Sequence, residues 1–257
     1  IFHLHGSEFA MTYKNAGATY TNMVHFVLNH SDCVFVLSDY WKSYVESISK
    51  NPNIRVINNF PSPVFELIYE ERNFSKKPIT EMLFLGHIGQ RKGIYDLVDA
   101  IDLLRSQSVG NFRINVGGNG EVDKLRELVA NRHLDEYFNI IGWVTGEQKH
   151  QLLETSDILL LPSHNEGLPI AILEALSAGL AVLSTSVGGI PDAISEERYG
   201  LLVEPGQPKA LANAIMRYLS TEGLVESVAR KAHELYSRDY SSTVNVGRIR
   251  NVIEHLA

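Results

Sequence analysis

Two acidic residues, Glu166 and Glu174, stand in the most distinctive stretch of the sequence with seven residues between them. Gly167, Leu168 and Pro169 follow the first of them, and the stretch comes directly after the apolar run 158–161. In open α/β sheets ligands bind beyond the carboxyl ends of strands, which makes this loop a site candidate by position. Proline suits the first turn of a helix, so Pro169 predicts a helix start that leaves the amides near Gly167 and Leu168 turned outward, where they can hold an anion such as a diphosphate. Gly167 has no Cβ to keep that anion at a distance. Glu174 falls among Ile170, Ala171, Ile172, Leu173, Ala175, Leu176 and Ala178, apolar on every side, which predicts a buried helix. A charge there needs a partner. A carboxylate facing a cleft can accept two hydrogen bonds from a ribose diol, and Glu166 at the mouth of the loop can do the same for sugar hydroxyls. The plainer alternative is that both acids only favour a helix N-terminus.

A second segment runs from an apolar strand pattern through Gly86, His87, Gly89, Arg91, Lys92 and Gly93 into a helical pattern near Ile94. Glycines and two cations at such a turn suggest phosphate binding. The alternative is a turn whose Arg91 and Lys92 are merely solvated. Neither a Walker pattern nor a G-x-G-x-x-G after a strand occurs, so a P-loop ATPase and a dinucleotide-type dehydrogenase lack support.

Positioning these residues requires strands and helices in alternation. Apolar runs at 2–5, 33–37, 54–57, 82–85, 112–116, 138–141, 158–161, 181–184 and 201–203 predict short strands covered on both faces. Helical patterns are expected at 39–49, 94–105, 121–131, 147–154, 169–178, 208–219, 224–236 and 243–256, so the fold class is α/β with parallel sheets. Two prolines and two asparagines in 58–63 forbid a regular element and mark a domain junction there. The segment before it holds too few strands for a whole domain. The chain also starts without Met inside a strand pattern, which predicts further residues upstream of Ile1.

A net charge of −7 with no Lys/Arg block argues against broad nucleic-acid binding. The single cysteine, Cys33, cannot form an intrachain disulfide; it is expected in the core and fits a reducing, cytoplasmic compartment. No apolar stretch approaches the ~20 residues that span a bilayer.

Three features together resemble one family. They are the glutamate pair, the turn from Gly86 to Lys92 and Gly93, and Val187, Gly188, Gly189, Ile190, Pro191 and Asp192 followed by Gly200, Leu201, Leu202 and Val203. Over roughly residues 79–220 they resemble the retaining glycosyltransferases of GT-B fold often called group 1 or family 4. The resemblance implies one complete Rossmann-like, doubly wound parallel-sheet domain at 64–240 that binds a nucleotide-sugar donor. A fragment of a second Rossmann-like, acceptor-binding domain would occupy 1–63, and a C-terminal helix at 241–257 would pack back toward it. Lys92 would contact the donor diphosphate, Glu166 the sugar hydroxyls, the Gly167 and Leu168 amides the phosphate, and Glu174 the ribose. Gly142, Trp143 and Val144 resemble the family loop beside the nucleobase, and residues 117–120 its glycine-rich turn, for which a plain strand-to-helix turn is an equal alternative.

One departure stands out. The family usually has Arg directly after the first glycine of the turn, where this chain has His87, which carries less charge near neutral pH; Arg91 is placed to compensate. His3 and His5 lie at the end of the first strand pattern, and His5 matches the family's His-Gly position near the donor sugar. They also permit a metal reading, without a visible third ligand. The residues expected to carry the reaction are therefore His5, Lys92 and Glu166. No D-x-D occurs, so metal-independent transfer without a cofactor is expected, with the nucleotide sugar as substrate. The acceptor would be a glycan or a lipid-linked glycan, with peripheral contact at the inner face of the plasma membrane left open through the rest of the N-terminal domain. A nucleotide-sugar epimerase and a catalytically idle binding fragment are the rival readings.

Overall fold

The structure is a computed structural model that describes residues 1–5, 7–74 and 78–256. Among these residues the strands form two parallel sheets, one of three strands and one of six.

The first part contains β1 (Phe2–His3), α1 (Ser7–Lys14), α2 (Ala18–His30), β2 (Val34–Val36), α3 (Asp39–Ile48) and β3 (Ile54–Val56). Its strands lie in the order β1-β2-β3. The Ser38 hydroxyl caps α3 by accepting from the Trp41 amide at 3.4 Å. No regular element occupies 57–62, and α4 (Glu66–Glu71) follows a single 3-10 turn at Pro63–Phe65. Arg72, at the end of α4, binds the second part closely. Its guanidinium donates to the carbonyls of Ala178, Ser156 and Leu153 at 2.7, 2.8 and 2.6 Å. Burial lowers its pKa, with Asp157 and Glu154 opposing.

The larger sheet is built from β4 (Thr80–Leu85), α5 (Ile94–Ser106), β5 (Phe112–Gly117), α6 (Val122–Asn131), β6 (Phe138–Gly142), α7 (Gly146–Thr155), β7 (Ile158–Leu161), α8 (Ile170–Ser177), β8 (Ala181–Thr185), α9 (Ile190–Ala193) and β9 (Leu201–Val203). The strand order β6-β5-β4-β7-β8-β9 places β4 and β7 side by side although three helices separate them in sequence. The sheet changes its winding direction between these two strands, and the loops after them become neighbours across the gap. Met82, Leu83 and Phe84 of β4 and Ile158, Leu159, Leu160 and Leu161 of β7 are fully buried, which is why both strands read as unbroken apolar runs. Full burial of one such side chain contributes about 1.5–3 kcal/mol.

The chain finishes with α10 (Pro208–Ser220), α11 (Leu224–Leu235), a wide π turn at Tyr236–Tyr240, and α12 (Ser242–Leu256). Ile249 and Val252 of α12 pack on Phe35 of β2 and on Cys33 and Ile57, which flank β2 and β3. Arg248 also donates to the Asn58 side chain at 2.9 Å.

Each expected strand is present, β7 and β9 with the expected bounds and the others with ends moved by one or two residues. The first is shorter by two residues, since it stops at His3 and leaves His5 outside it. Pro169 is not in the first turn of α8; it occupies the preceding cap position with an extended ψ of 126°. Sequence periodicity missed α1, α2, α4 and α9. In α2 only Val24 and Leu28 are buried while Met23 and Phe26 are exposed, so no clean apolar stripe exists to be read.

Candidate functional site

The two chemically distinctive segments meet at the gap between β4 and β7. Gly93, at φ +71°, lies so close to Pro162 that a Cβ there would sit 1.8 Å from the Pro162 carbonyl oxygen. The turn after β4 can therefore pass the end of β7 only as glycine. The His164 amide donates to the Arg91 carbonyl at 2.8 Å, and Arg91 Nη1 reaches the Asn165 carbonyl at a long 3.4 Å. The His164 ring closes on Asp96 of α5 at 2.6 Å. Backbone and side chain together fix the loop against the turn.

Lys92 and Glu166 form the centre of this junction. Lys92 Nζ lies 2.6 Å from Glu166 Oε1, with side-chain exposures of 14% and 6%. The same oxygen accepts a second hydrogen bond, from Ser163 Oγ at 2.6 Å. The Lys92 stem lies across Gly86, where an added Cβ would meet it in ordinary contact at 3.6 to 3.7 Å. A buried charge pair is tolerable only when geometry and additional hydrogen bonds offset desolvation, and the serine supplies one of these.

Two of the loop carbonyls are engaged within the protein. The Gly167 carbonyl accepts from the Gly189 amide at 2.7 Å and the Leu168 carbonyl from Asn59 Nδ2 at 2.9 Å. Neither the Gly167 nor the Leu168 amide has a protein acceptor among the described residues. Two donors at the approach to α8 are thus available to an anion, and the helix dipole adds to their attraction.

Glu174 lies in α8 at 5% exposure, beside a cleft of about 210 Å³ bordered by Gly86, His87, Trp143, Val144 and Lys149. Burial raises the pKa of its carboxyl, and Lys149 acts in the opposite direction from 2.6 Å. The cleft exists because three backbone segments approach without side chains. A Cβ on Gly118 would fall 1.7 Å from the Gly86 carbonyl oxygen, one on Gly117 would meet Val144, and the Gly118 amide donates to the Gly142 carbonyl at 2.7 Å. Its volume is below the roughly 300–1,000 Å³ of a complete ligand pocket, which suits it to one portion of a larger molecule. Trp143 is 68% exposed at the rim, an apolar plate open to stacking. His87 is exposed, with Nδ1 3.3 Å from Asn119 Oδ1.

The sequence-derived residues therefore fall into two adjoining groups. Lys92, Arg91, Glu166, Gly167, Leu168 and Pro169 gather at one end of α8, and Gly86, His87, Gly142, Trp143, Val144 and Glu174 gather about the cleft. His5 joins neither group through any contact among the described residues. Its ring lies 4.0 Å from that of His3, whose pKa is lowered to about 4 by burial and by His5. Sequence reasoning missed Lys149, Ser163 and Asn59. Only Ser163 carried a usable signal, as a small polar residue at the end of an apolar strand.

A sequence profile of the family described as glycosyl transferases group 1 matches residues 66–235. The putative colanic acid biosynthesis glycosyltransferase WcaL of Salmonella typhimurium is 25% identical over 230 residues, 86% of this chain and 56% of that protein. The N-acetyl-alpha-D-glucosaminyl L-malate synthase of Bacillus anthracis is 25% identical over 258 residues, 97% of this chain and 66% of that protein. The chain spans 45 to 60% of the length of three of the curated relatives it matches. Sucrose-phosphate synthase from Thermosynechococcus elongatus superimposes with a TM-score of 0.81 at 22% identity, over 99% of this chain and 67% of that one. HepE from Anabaena, solved with UDP and glucose, gives 0.80 at 18% identity, over 98% of this chain and 70% of that one. These likenesses identify the fold as GT-B, and with the profile matching most of its length, the chain belongs to the group 1 glycosyl transferases.

Proposed function

We propose that this chain supplies the donor-binding side of a transferase that moves a sugar from a nucleoside diphosphate sugar, UDP- or GDP-linked, to a glycan or lipid-linked acceptor with retention of anomeric configuration. The observation that carries this reading is the Lys92–Glu166 pair at 2.6 Å, held where the turn after β4 meets the loop before α8. In such a transfer the bond from the anomeric carbon to the diphosphate breaks, and the barrier falls when the departing anion is stabilised. Lys92, Arg91, His87 and the Gly167 and Leu168 amides are assigned to that anion. Glu166 is assigned to the sugar hydroxyls, Glu174 to the ribose diol, residues 142–144 to the nucleobase, and His5 to the face of the transferred sugar. The cation needed for the leaving group is part of the chain, so the reading requires no metal and no cofactor.

The relatives named for colanic acid and amylovoran biosynthesis support a glycan acceptor, and HepE, solved with UDP-glucose, supports the donor class. Residues 64–240 are assigned as the donor domain, 1–63 as part of the acceptor domain, and 241–257 as a helix joining the two. No helix among the described residues is long and apolar enough to cross a membrane. A cytoplasmic protein is our reading.

Thermal denaturation with UDP-, GDP- and ADP-sugars tests the donor class. A ligand at about 100 times its Kd adds about 2.7 kcal/mol of stability. If none of the three raises the melting temperature, the donor assignment is abandoned. Conversion of a labelled donor without acceptor would identify an epimerase instead, and binding without turnover an idle module.

A further inference from the structure

We propose that Lys149 is a positioning residue of the donor site, which fixes the orientation and charge of the Glu174 carboxylate so that it can accept hydrogen bonds from a ribose. This rests on the assignment of Glu174 to the nucleoside. Lys149 projects from α7 to within 2.6 Å of Glu174 Oε1, its side chain 26% exposed and that of Glu174 6%. The ammonium also stands 5.6 Å from the centre of the Phe65 ring, so it is held between an aromatic face and the carboxylate. No other cation contacts Glu174 among the described residues. His87 borders the same cleft but binds Asn119. Four charged groups on elements packed against α8 are engaged elsewhere. His233 of α11 binds the Ser177 carbonyl, Glu66 binds the Tyr236 hydroxyl, Arg72 binds three carbonyls, and Arg238 pairs with Asp239.

A ribose diol donates its hydroxyl protons, so only the ionised carboxylate accepts both. Burial raises the Glu174 pKa and Lys149 lowers it. Nucleotide affinity is therefore full above that pKa and fades as the pH falls through it. Removing the ammonium moves the fade to higher pH. An opposite charge at this range moves a carboxyl by about 1–3 units, and one unit is a factor of ten in proton affinity.

The test compares wild type, Lys149→Met and Lys149→Arg by calorimetry with UDP and, in parallel, GDP at pH 8.5 and pH 6. It is paired with carbon-detected NMR titration of Glu174. We expect Lys149→Met to bind the nucleotide more weakly than wild type by a factor that grows, by up to about tenfold per pH unit, as the pH falls from 8.5 to 6. Its Glu174 midpoint should move to higher pH, and Lys149→Arg should restore both. His233 titrates alike in all three proteins and cancels. An equal deficit at both pH values would indicate a direct nucleotide contact or a packing role and would overturn the proposal, as would an unmoved midpoint. If the midpoint moves but neither nucleotide binds wild type, the donor assignment of Glu174 fails while its coupling to Lys149 stands.

Discussion

Two lysine–glutamate pairs of equal length, 2.6 Å each, flank one buried helix, yet they are built on different plans. Glu166 belongs to a loop. Its oxygen is held by Lys92 and Ser163, and its backbone is pressed against Gly188. Glu174 belongs to the helix itself, where backbone hydrogen bonds already fix its place and a single lysine faces it. A carboxylate on a loop needs several partners to hold one geometry. A carboxylate on a helix needs only one, and its ionisation then depends on that partner. The difference assigns the two acids different sensitivities: Glu166 to the shape of the loop, Glu174 to charge and pH.

The largest expected effect comes from cutting the loop-borne pair. Lys92→Ala should lower kcat/KM for a nucleotide sugar by about a hundredfold, in line with roughly 2.7–4 kcal/mol for a lost donor to developing charge. Steady-state kinetics at saturating acceptor would check it, and unchanged turnover would remove Lys92 from the chemistry. Glu174→Gln should come next, weakening UDP by about tenfold or more through the loss of a charged hydrogen bond worth about 1.5–3 kcal/mol. Glu166→Gln should leave UDP within about twofold and weaken only the sugar-bearing donor. Equal losses of UDP affinity in both variants would erase the distinction between the pairs.

How far each pair could be read from the sequence follows the same division. Lys92, Glu166 and Gly167 lie in short segments directly after apolar strands, and the β4–β7 switch that joins them is a regular consequence of alternating strands and helices. The strands themselves were legible because both faces are buried. Lys149 offered no such signal. It lies 25 residues from Glu174 on a helix rich in polar residues, where one more lysine looks like a solvated surface group. Only the tertiary fold, which brings α7 within side-chain reach of Glu174, turns it inward. Asn59 was read as part of a junction that forbids regular structure, and nothing local could indicate that its side chain would hold the Leu168 carbonyl. His5 shows the opposite limit, since its motif is legible while its contacts among the described residues reach only His3.

A smaller effect should separate loop shape from charge. Gly188 has φ +56°, and a Cβ there would meet the Glu166 carbonyl oxygen at 1.9 Å. Gly188→Ala should cost about 1–2 kcal/mol for the left-handed backbone, and the loop must also move to relieve the contact. Calorimetric melting should fall and UDP should bind more weakly, because its diphosphate is assigned to the amides of this loop, while uridine, which lacks the phosphates and reaches only the Glu174 cleft, should bind near wild type. Loss of uridine affinity in step with stability would mean that the loop and the Glu174 cleft are not independent.

The smallest effect tests whether the loop-borne carboxylate needs its second partner. Ser163 is fully buried, its hydroxyl donates to Glu166 Oε1, and its carbonyl accepts from Thr185 Oγ1 at 2.5 Å. Ser163→Ala removes the hydroxyl but leaves the carbonyl bond and the Lys92 contact in place. The expected cost is about 1 kcal/mol, the net value of one hydrogen bond, which lowers the melting temperature of a domain of this size by about 2–4 °C. Because Lys92 remains, the carboxylate stays paired, so kcat/KM should change through loosened geometry alone. A double-mutant cycle with Lys92→Met measures the coupling directly. A network predicts an interaction energy of at least about 0.5 kcal/mol between the two positions, whereas strict additivity would reduce the Glu166 site to a single pair like that of Glu174.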